Sequence, residues 1–239
     1  LTSKFKYIYS DLKNKILTKE IKAGDYLPSE NELSEQYSTS RETIRKALKI
    51  LFDEGMINKQ RGKGSIVLQR DLYPLPFNQL TSFKELNRMK GESVQTKVLF
   101  NEVVSPPSFL VNKKIIEADE KIWKIKRLRY IDNRPSIIDI DYIKRLSFKP
   151  ATDDILENSL YDYLENECKL SIGYAEKEIS AEIATVEDLD LLQMNDSHVI
   201  VVQGDVYLND TTWFQYTESR HKIDRFKFLD FSRRYNHDV

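Results

Sequence analysis

Between Arg41 and Leu51 the chain carries two stripes at once. Ile44, Ala47, Leu48 and Leu51 recur three and four residues apart, the spacing of one buried helix face, while Arg41, Arg45 and Lys49 recur every four residues on the opposite side. A segment patterned in this way packs by one face and leaves a cationic face to water or to an anion. Ser40 stands where a helix N-cap belongs, which puts Arg41, Glu42 and Thr43 in the first turn.

The flanking residues build a frame around that helix. Ile8, Leu12 and Ile16, four apart, predict a first helix from Lys4 to Thr18, broken by Ala23-Gly24-Asp25. Ser29 and Glu32 have the spacing of a capping box after Pro28 and predict a short second helix running to Tyr37, with Leu33 on its inner face. Gly55 ends the third helix. Residues 56–68 then read as two short strands around Arg61-Gly62-Lys63-Gly64, whose glycines permit the positive backbone dihedrals of a tight turn. Three helices followed by a basic hairpin make a winged helix-turn-helix. In such a unit the first turn of the third helix reaches base edges in the major groove, where Arg bonds guanine and Thr touches a thymine methyl or a phosphate. A basic wing suits phosphates or the minor groove. Any one of these elements alone fits an ordinary solvated face or turn; together, in this order, they point to double-stranded DNA.

The whole-chain charge argues the other way at first. There are 37 basic and 38 acidic residues, a net charge of -1, whereas a nucleic-acid-binding domain is basic. The sum hides a partition: residues 1–70 hold 14 basic and 9 acidic residues, a balance of +5, and residues 71–239 carry a balance of -6. Pro74 and Pro76 mark the border, since neither fits a central strand and each discourages helix in the residue before it. The expectation is a DNA-binding domain over 1–70, a linker over 71–79 and a second domain over 80–239.

In that second domain strand-like and helix-like stretches alternate. Ser82 and Glu85 repeat the capping-box spacing and open a helix that Gly91 closes. Residues 94–104, 121–131, 136–143, 174–183, 199–208 and 212–221 read as strands, and Ser159 and Thr185 open two further helices. This is an α+β pattern dominated by antiparallel hairpins. Arg127 and Arg129 share a strand face with Trp123, Ile125 and Ile131, because side chains alternate along a strand. That face reads as half-buried, and buried arginines need anions. Asp139 and Asp141 supply them if the loop around residues 132–135 is odd in length; an even loop turns Ile138 and Ile140 toward the arginines and leaves the charge to a ligand. Ser82 and Ser159, each at a helix start, then suit a phosphate, although as caps alone they need no ligand.

Leu27-Pro28-Ser29-Glu30, residues 40–48 and Arg61-Gly62-Lys63-Gly64-Ser65 resemble the DNA-binding domain of the GntR family of bacterial transcription regulators, a likeness that covers residues 4–69. The resemblance implies a homodimer on a near-palindromic operator, with Arg41, Thr43, Arg45 and Gly62 at the DNA. The other DNA-binding candidates are Lys4, Tyr7, Ser29, Ser40, Glu42, Lys46, Arg61, Lys63 and Gly64. Residues 80–86, Arg127-Leu128-Arg129, residues 158–164 and residues 215–221 resemble the UTRA effector domain of the HutC subfamily, which is similar in fold to chorismate lyase. That implies a pocket lined by Ser82, Phe83, Lys84, Arg127, Arg129, Ser159 and Tyr161, several around a phosphate, with Asp139 and Glu218 toward sugar hydroxyls. Residues 82–86, 104–107, 122–124 and 214–221 are most similar to the branch that responds to trehalose 6-phosphate. A sugar phosphate is the implied effector, and repression the implied sign.

An enzyme of lyase type fused to a DNA-binding module is the competing class. No ordering of Ser, His and Asp stands out, and Cys168 has no histidine near it in sequence, which makes it a packing or surface residue. His221, beside Arg220 at a strand end, reads as structural. One cysteine and the histidines His198, His221 and His237 give no metal-ligand spacing and no intrachain disulfide, so no cofactor or metal is expected. The longest aliphatic run, Val199 to Val202, is far below the roughly 20 residues of a membrane-spanning helix. Residues 1–6 lack the apolar stretch of a secretory signal. A soluble, cytoplasmic protein without membrane contact is the expectation.

Overall fold

The stripe on the third helix buries as its spacing demands. In the computed structural model, which describes residues 3–60, 62–68, 93–145 and 148–228, Ile44, Ala47 and Leu51 lose all contact with solvent. The described residues form two compact units, 3–68 and 93–228. The expected linker, residues 71–79, and the capping-box helix at Ser82 lie outside the described residues.

The first unit runs α1 (Lys4–Leu17), α2 (Glu30–Gln36), α3 (Arg41–Asp53), β1 (Ile57–Gln60) and β2 (Gly64–Val67). Ile8 and Leu12 of α1, Leu33 of α2 and Ile44 and Leu48 of α3 meet in one apolar core. Each such side chain taken out of water contributes about 1.5–3 kcal/mol, which is what holds three short helices together. Ser29 and Glu32 close the capping box of α2, and Ser40 caps α3 by accepting from the Thr43 N–H. β1 and β2 pair antiparallel, with Tyr26 bridging to Ile66 on the outer edge. Gly62 and Gly64 sit at φ +77° and +99°, and a Cβ at either would point into open space, so the wing needs glycine for its backbone conformation and not for lack of room. The winged helix-turn-helix expected from the sequence is the fold of this unit.

The second unit is a six-stranded antiparallel sheet, with helices on both faces. β3 (Val94–Val104), β4 (Ile122–Ile131), β5 (Arg134–Lys144), β6 (Ile172–Ile183), β7 (His198–Leu208) and β8 (Trp213–His221) pair in the order β3-β4-β5-β8-β7-β6. On one face α5 (Asp153–Asn158) and α6 (Leu160–Asp162), which continues as a π-helical turn through Glu167, press Leu156, Leu160 and Leu164 onto Trp123, Ile125 and Phe214. On the other face α4 (Ser108–Asn112) covers Ile122 and Tyr216 with Leu110, and α7 (Val186–Leu191) leads into Leu192 and Met194, which cover Leu128, Ile138 and Val201. The strands match the sequence reading to within two residues. The short helices α4 and α5 carry too few turns to show a period and were not expected.

The β4–β5 hairpin corrects the loop argument. Asp132 and Asn133 both have positive φ, 50° and 60°, the two-residue turn that suits a twisted hairpin. The loop is therefore even, yet Asp139 and Asp141 face the arginines, because a bulge restores the register. Ile131 pairs with Arg134 and Tyr130 with Pro135, but Arg129 pairs with Ile137, leaving Ser136 as the extra residue. Gly204 marks a second tight point: a Cβ there runs into the backbone carbonyl of Glu176 on the neighbouring strand. Gly204→Ala is expected to destabilise this unit by about 1–3 kcal/mol in urea unfolding, the range of overpacking changes. An unchanged midpoint would show that β6 yields freely at this site.

Candidate DNA-reading and effector sites

In the first unit the arginines of α3 are exposed and held from one side. Arg45 Nε donates to the Glu30 carboxylate at 2.7 Å, and Arg41 Nη2 lies 3.5 Å from the same oxygen. Glu30 directly follows the cap Ser29, so one acidic residue on α2 gathers the two leading cations of α3. The arginine side chains stay more than half exposed, 56% for Arg41 and 58% for Arg45, so they can exchange Glu30 for another anion at little cost. The Thr43 hydroxyl lies 2.9 Å from that of Ser40, and Glu42 pairs with Lys46 at 3.0 Å on the exposed flank. Lys4 Nζ donates to the Ser38 carbonyl in the turn before α3, and Tyr7, exposed, stands edge-on to Tyr37. Lys4, Tyr7, Ser29, Ser40, Arg41, Thr43 and Arg45 are thus tied to one region, the α2–α3 turn and the start of α3. Lys63, Gly62 and Gly64 form the wing tip, and Arg61 lies outside the described residues. The position of Glu30 in the sequence, one residue after a cap and fifteen before Arg45, carries no sign of this contact.

In the second unit the arginines are buried. Arg127 Nη2 donates to Asp141 Oδ2 at 2.7 Å, and Arg129 Nε donates to Asp139 Oδ2 at 2.8 Å. Each pair runs diagonally across the β4–β5 ladder, where the residue directly opposite Arg127 is Asp139 and that opposite Arg129 is Ile137. Neighbouring strands finish the cluster. Thr96 of β3 accepts from Arg129 at 2.6 Å, Ser219 of β8 donates to Asp139 at 2.6 Å, and Gln215 of β8 donates to Asp141 at 2.7 Å. Tyr161 of α6 reaches the Gln215 side-chain oxygen at 3.4 Å. Among the described residues, Arg127 Nε is a buried donor with no acceptor.

The electrostatics follow from burial. Burial, with the Arg127 charge adding to it, pushes the Arg129 guanidinium down to about 10 against the pull of Asp139, so it stays charged at neutral pH. Burial pushes the Asp139 carboxyl upward, but Arg129, Arg127 and the Ser219 hydroxyl outweigh it and hold it below its usual range. Burial raises the Tyr161 hydroxyl, which remains protonated.

Of the effector candidates, Arg127, Arg129, Asp139 and Tyr161 are therefore brought into one network. Ser159 caps α6, accepting from the Asp162 N–H, and starts the turn that presents Tyr161. Glu218 is not part of the cluster. It lies on the opposite face of β8, bonded to Arg220 at 2.9 Å, because side chains alternate along a strand. Ser82, Phe83 and Lys84 lie outside the described residues. Asp141, Gln215, Ser219 and Thr96 were not counted among the site residues; alternation along β8 was the one signal that could have found Gln215 and Ser219.

An exposed cationic helix on a winged head and a buried arginine cluster in a second unit define a ligand-responsive DNA-binding regulator. The comparisons with known proteins agree. The chain matches the family described as bacterial regulatory proteins, gntR family, over residues 5–67 and the UTRA domain over residues 89–227. It is 47% identical to the HTH-type transcriptional regulator TreR of Bacillus subtilis over 97% of this chain and 98% of that one. It is 29% identical to the mannosyl-D-glycerate transport/metabolism system repressor MngR of Escherichia coli over 96% of each. Among solved structures, the B. subtilis trehalose repressor effector binding domain is 43% identical, with a TM-score of 0.54 over 59% of this chain and 99% of that one. The possible transcriptional regulator YydK of B. subtilis superposes with a TM-score of 0.81 over 97% of this chain and 100% of that one, at 21% identity, a likeness of fold. The chain belongs to the GntR family of bacterial transcription regulators and carries a UTRA domain. It is a transcription regulator and not an enzyme. No helix of the described residues is long and apolar enough to cross a membrane.

His221 borders the cluster and packs edge-on to Phe226. Burial pushes its imidazole down to about 4, which the Asp139 charge only partly opposes. The unfolded chain, with a histidine near 6.5, binds this proton first, so the neutral form stabilises the fold above pH 6.5 and that contribution drains away as pH falls toward 4. About 3 kcal/mol is expected to disappear across that window, and His221→Gln is expected to flatten it. Urea unfolding of both proteins at several pH values checks this; equal slopes would mean the imidazole is hydrated.

Proposed function

We propose that this protein represses transcription by binding a near-palindromic operator as a homodimer, and releases it when trehalose 6-phosphate occupies the arginine face of the second domain. The observation that carries the effector reading is the buried Arg127 and Arg129 pair on one sheet face, with Tyr161 and the Ser159 turn above it. The likeness to the trehalose repressor supplies the sugar; the residues themselves ask for an anion. On the DNA side, Arg41 in the first turn of α3 reads a base edge while Arg45 and the wing engage phosphates. Glu30 holds both arginines forward until DNA replaces it. Occupation of the pocket changes operator affinity only if the effector binds the two states unequally.

A thermal-shift screen of free and phosphorylated sugars tests the effector. Trehalose 6-phosphate is expected to raise the melting temperature selectively, and Arg127→Ala is expected to lose that response while still binding operator DNA. A selective response to a different sugar phosphate would replace the ligand and keep the class; silence toward all of them would sink the effector reading. For the head, Arg41→Ala is expected to weaken binding to a site selected from random DNA by about 1–3 kcal/mol and to relax one base position. Arg45→Ala is expected to weaken all sequences alike and to reduce the salt slope by about 1. Unchanged binding in both variants would remove α3 from the groove.

A further inference from the structure

Among the described residues, two carboxylates match the two guanidinium groups of the arginine face before any ligand arrives. Arg127 and Arg129 face Asp141 and Asp139, and both oxygens of each carboxylate are engaged: Asp141 by Arg127 and Gln215, Asp139 by Arg129 and Ser219. Asp141 is 2% exposed and both arginines 5%, so water does little to screen these charges. A phosphate brought to one guanidinium also meets the carboxylate just behind it. For an anion about 4 Å from an arginine and about 6 Å from its carboxylate, attraction and repulsion would stand at roughly three to two, because Coulomb energy falls only as the inverse of distance. Two unpaired arginines would take any small anion; these two gain little from charge alone. What remains for an anion is directional: the buried Arg127 Nε, a donor without an acceptor among the described residues.

We propose that Asp141 and Asp139 are specificity-determining residues of the effector site, neutralising the arginines so that a bare anion is refused and a phosphate is accepted only with a polyhydroxyl body attached. This rests on the reading of the arginine face as the effector site. The carboxylates do two things at once. They fix the guanidinium planes, which favours a ligand that fits, and they cancel the field, which disfavours one that brings charge only. Inorganic phosphate and unrelated phosphate esters are thereby kept from releasing the regulator.

The test uses the full chain and titration calorimetry with inorganic phosphate, trehalose and trehalose 6-phosphate. The unaltered protein is expected to bind trehalose 6-phosphate at least about 100-fold more tightly than inorganic phosphate, a gap of about 2.7 kcal/mol. Asp141→Asn and Asp139→Asn keep the side-chain volume and one acceptor oxygen, and each is expected to narrow that ratio at least about tenfold, mainly by tighter inorganic phosphate binding. A purely structural role would weaken both ligands together and leave the ratio alone, and that result would overturn the proposal. Inorganic phosphate competing with trehalose 6-phosphate at a similar concentration in the unaltered protein would overturn it without any variant. No binding of any sugar phosphate to the unaltered protein would overturn the effector reading and this proposal together.

Discussion

One extra residue, Ser136, decides which side of the β4–β5 hairpin carries the carboxylates. A strand has a side-chain period of two, so removing the bulge would turn Ile138 and Ile140 to the arginines and send Asp139 and Asp141 into the apolar layer under Leu192 and Met194. Both faces would fail together. Ser136 is itself fully buried, with its hydroxyl donating to the Arg134 carbonyl and its own carbonyl accepting from the Lys222 N–H, so the bulge is held from two directions. The buried charge pairs, the polar bonds from β8 and the apolar cover on the far face all presuppose that register.

The same chemical device occurs twice under different burial. In the head Glu30 holds Arg45 and Arg41 at a surface, where an ion pair contributes only about 0.2–1 kcal/mol and gives way readily to a phosphate backbone that offers many charges. In the second unit Asp141 holds Arg127 where both are nearly out of water, and breaking such a pair by losing one partner costs about 3–5 kcal/mol. A surface pair leaves the arginine available to any polyanion, with selectivity left to base edges. A buried pair yields only to a ligand whose own hydrogen bonds replace what is disturbed. Burial, more than the number of charges, separates a group suited to a long polymer from one suited to a single small molecule.

Much of this was readable from residues alone, and the failures have physical causes. The head was legible because helix period, caps and wing glycines are local: Ser29 with Glu32, Ser40 with Thr43, Gly62 with Gly64. The strand set was legible from alternation. The orientation of the arginines toward their partners was not, since parity was assigned to the loop while the decisive residue lay three positions beyond it, in a bulge that no local pattern announces. Glu30 escaped for a related reason: it meets Arg45 only after two helices pack, fifteen positions apart in sequence. Pairwise chemistry is written in the chain, but the register that brings the partners together is a property of the assembled sheet or helix pair.

The run from Gln215 to His221 shows how a contiguous motif divides on folding. Gln215 and Ser219 point to the arginine face and bond Asp141 and Asp139. Tyr216, Glu218 and Arg220 point the other way, and Arg220 grips both oxygens of Asp188, the residue that also closes the capping box of α7, as well as Glu182 of β6. The motif is therefore two sets of contacts laid along one strand: polar bonds that position the arginine partners, and an arginine clamp that fastens a helix and the edge strand. Glu218, the one charged residue of this run expected toward an effector, lies with the second set, on the face away from the arginines. Among the described residues the two sets also differ in charge: the arginine face is balanced two to two, whereas on the far face the single Arg220 meets three carboxylates, Asp188, Glu182 and Glu218, so that cluster is net acidic and offers no cationic excess to attract DNA.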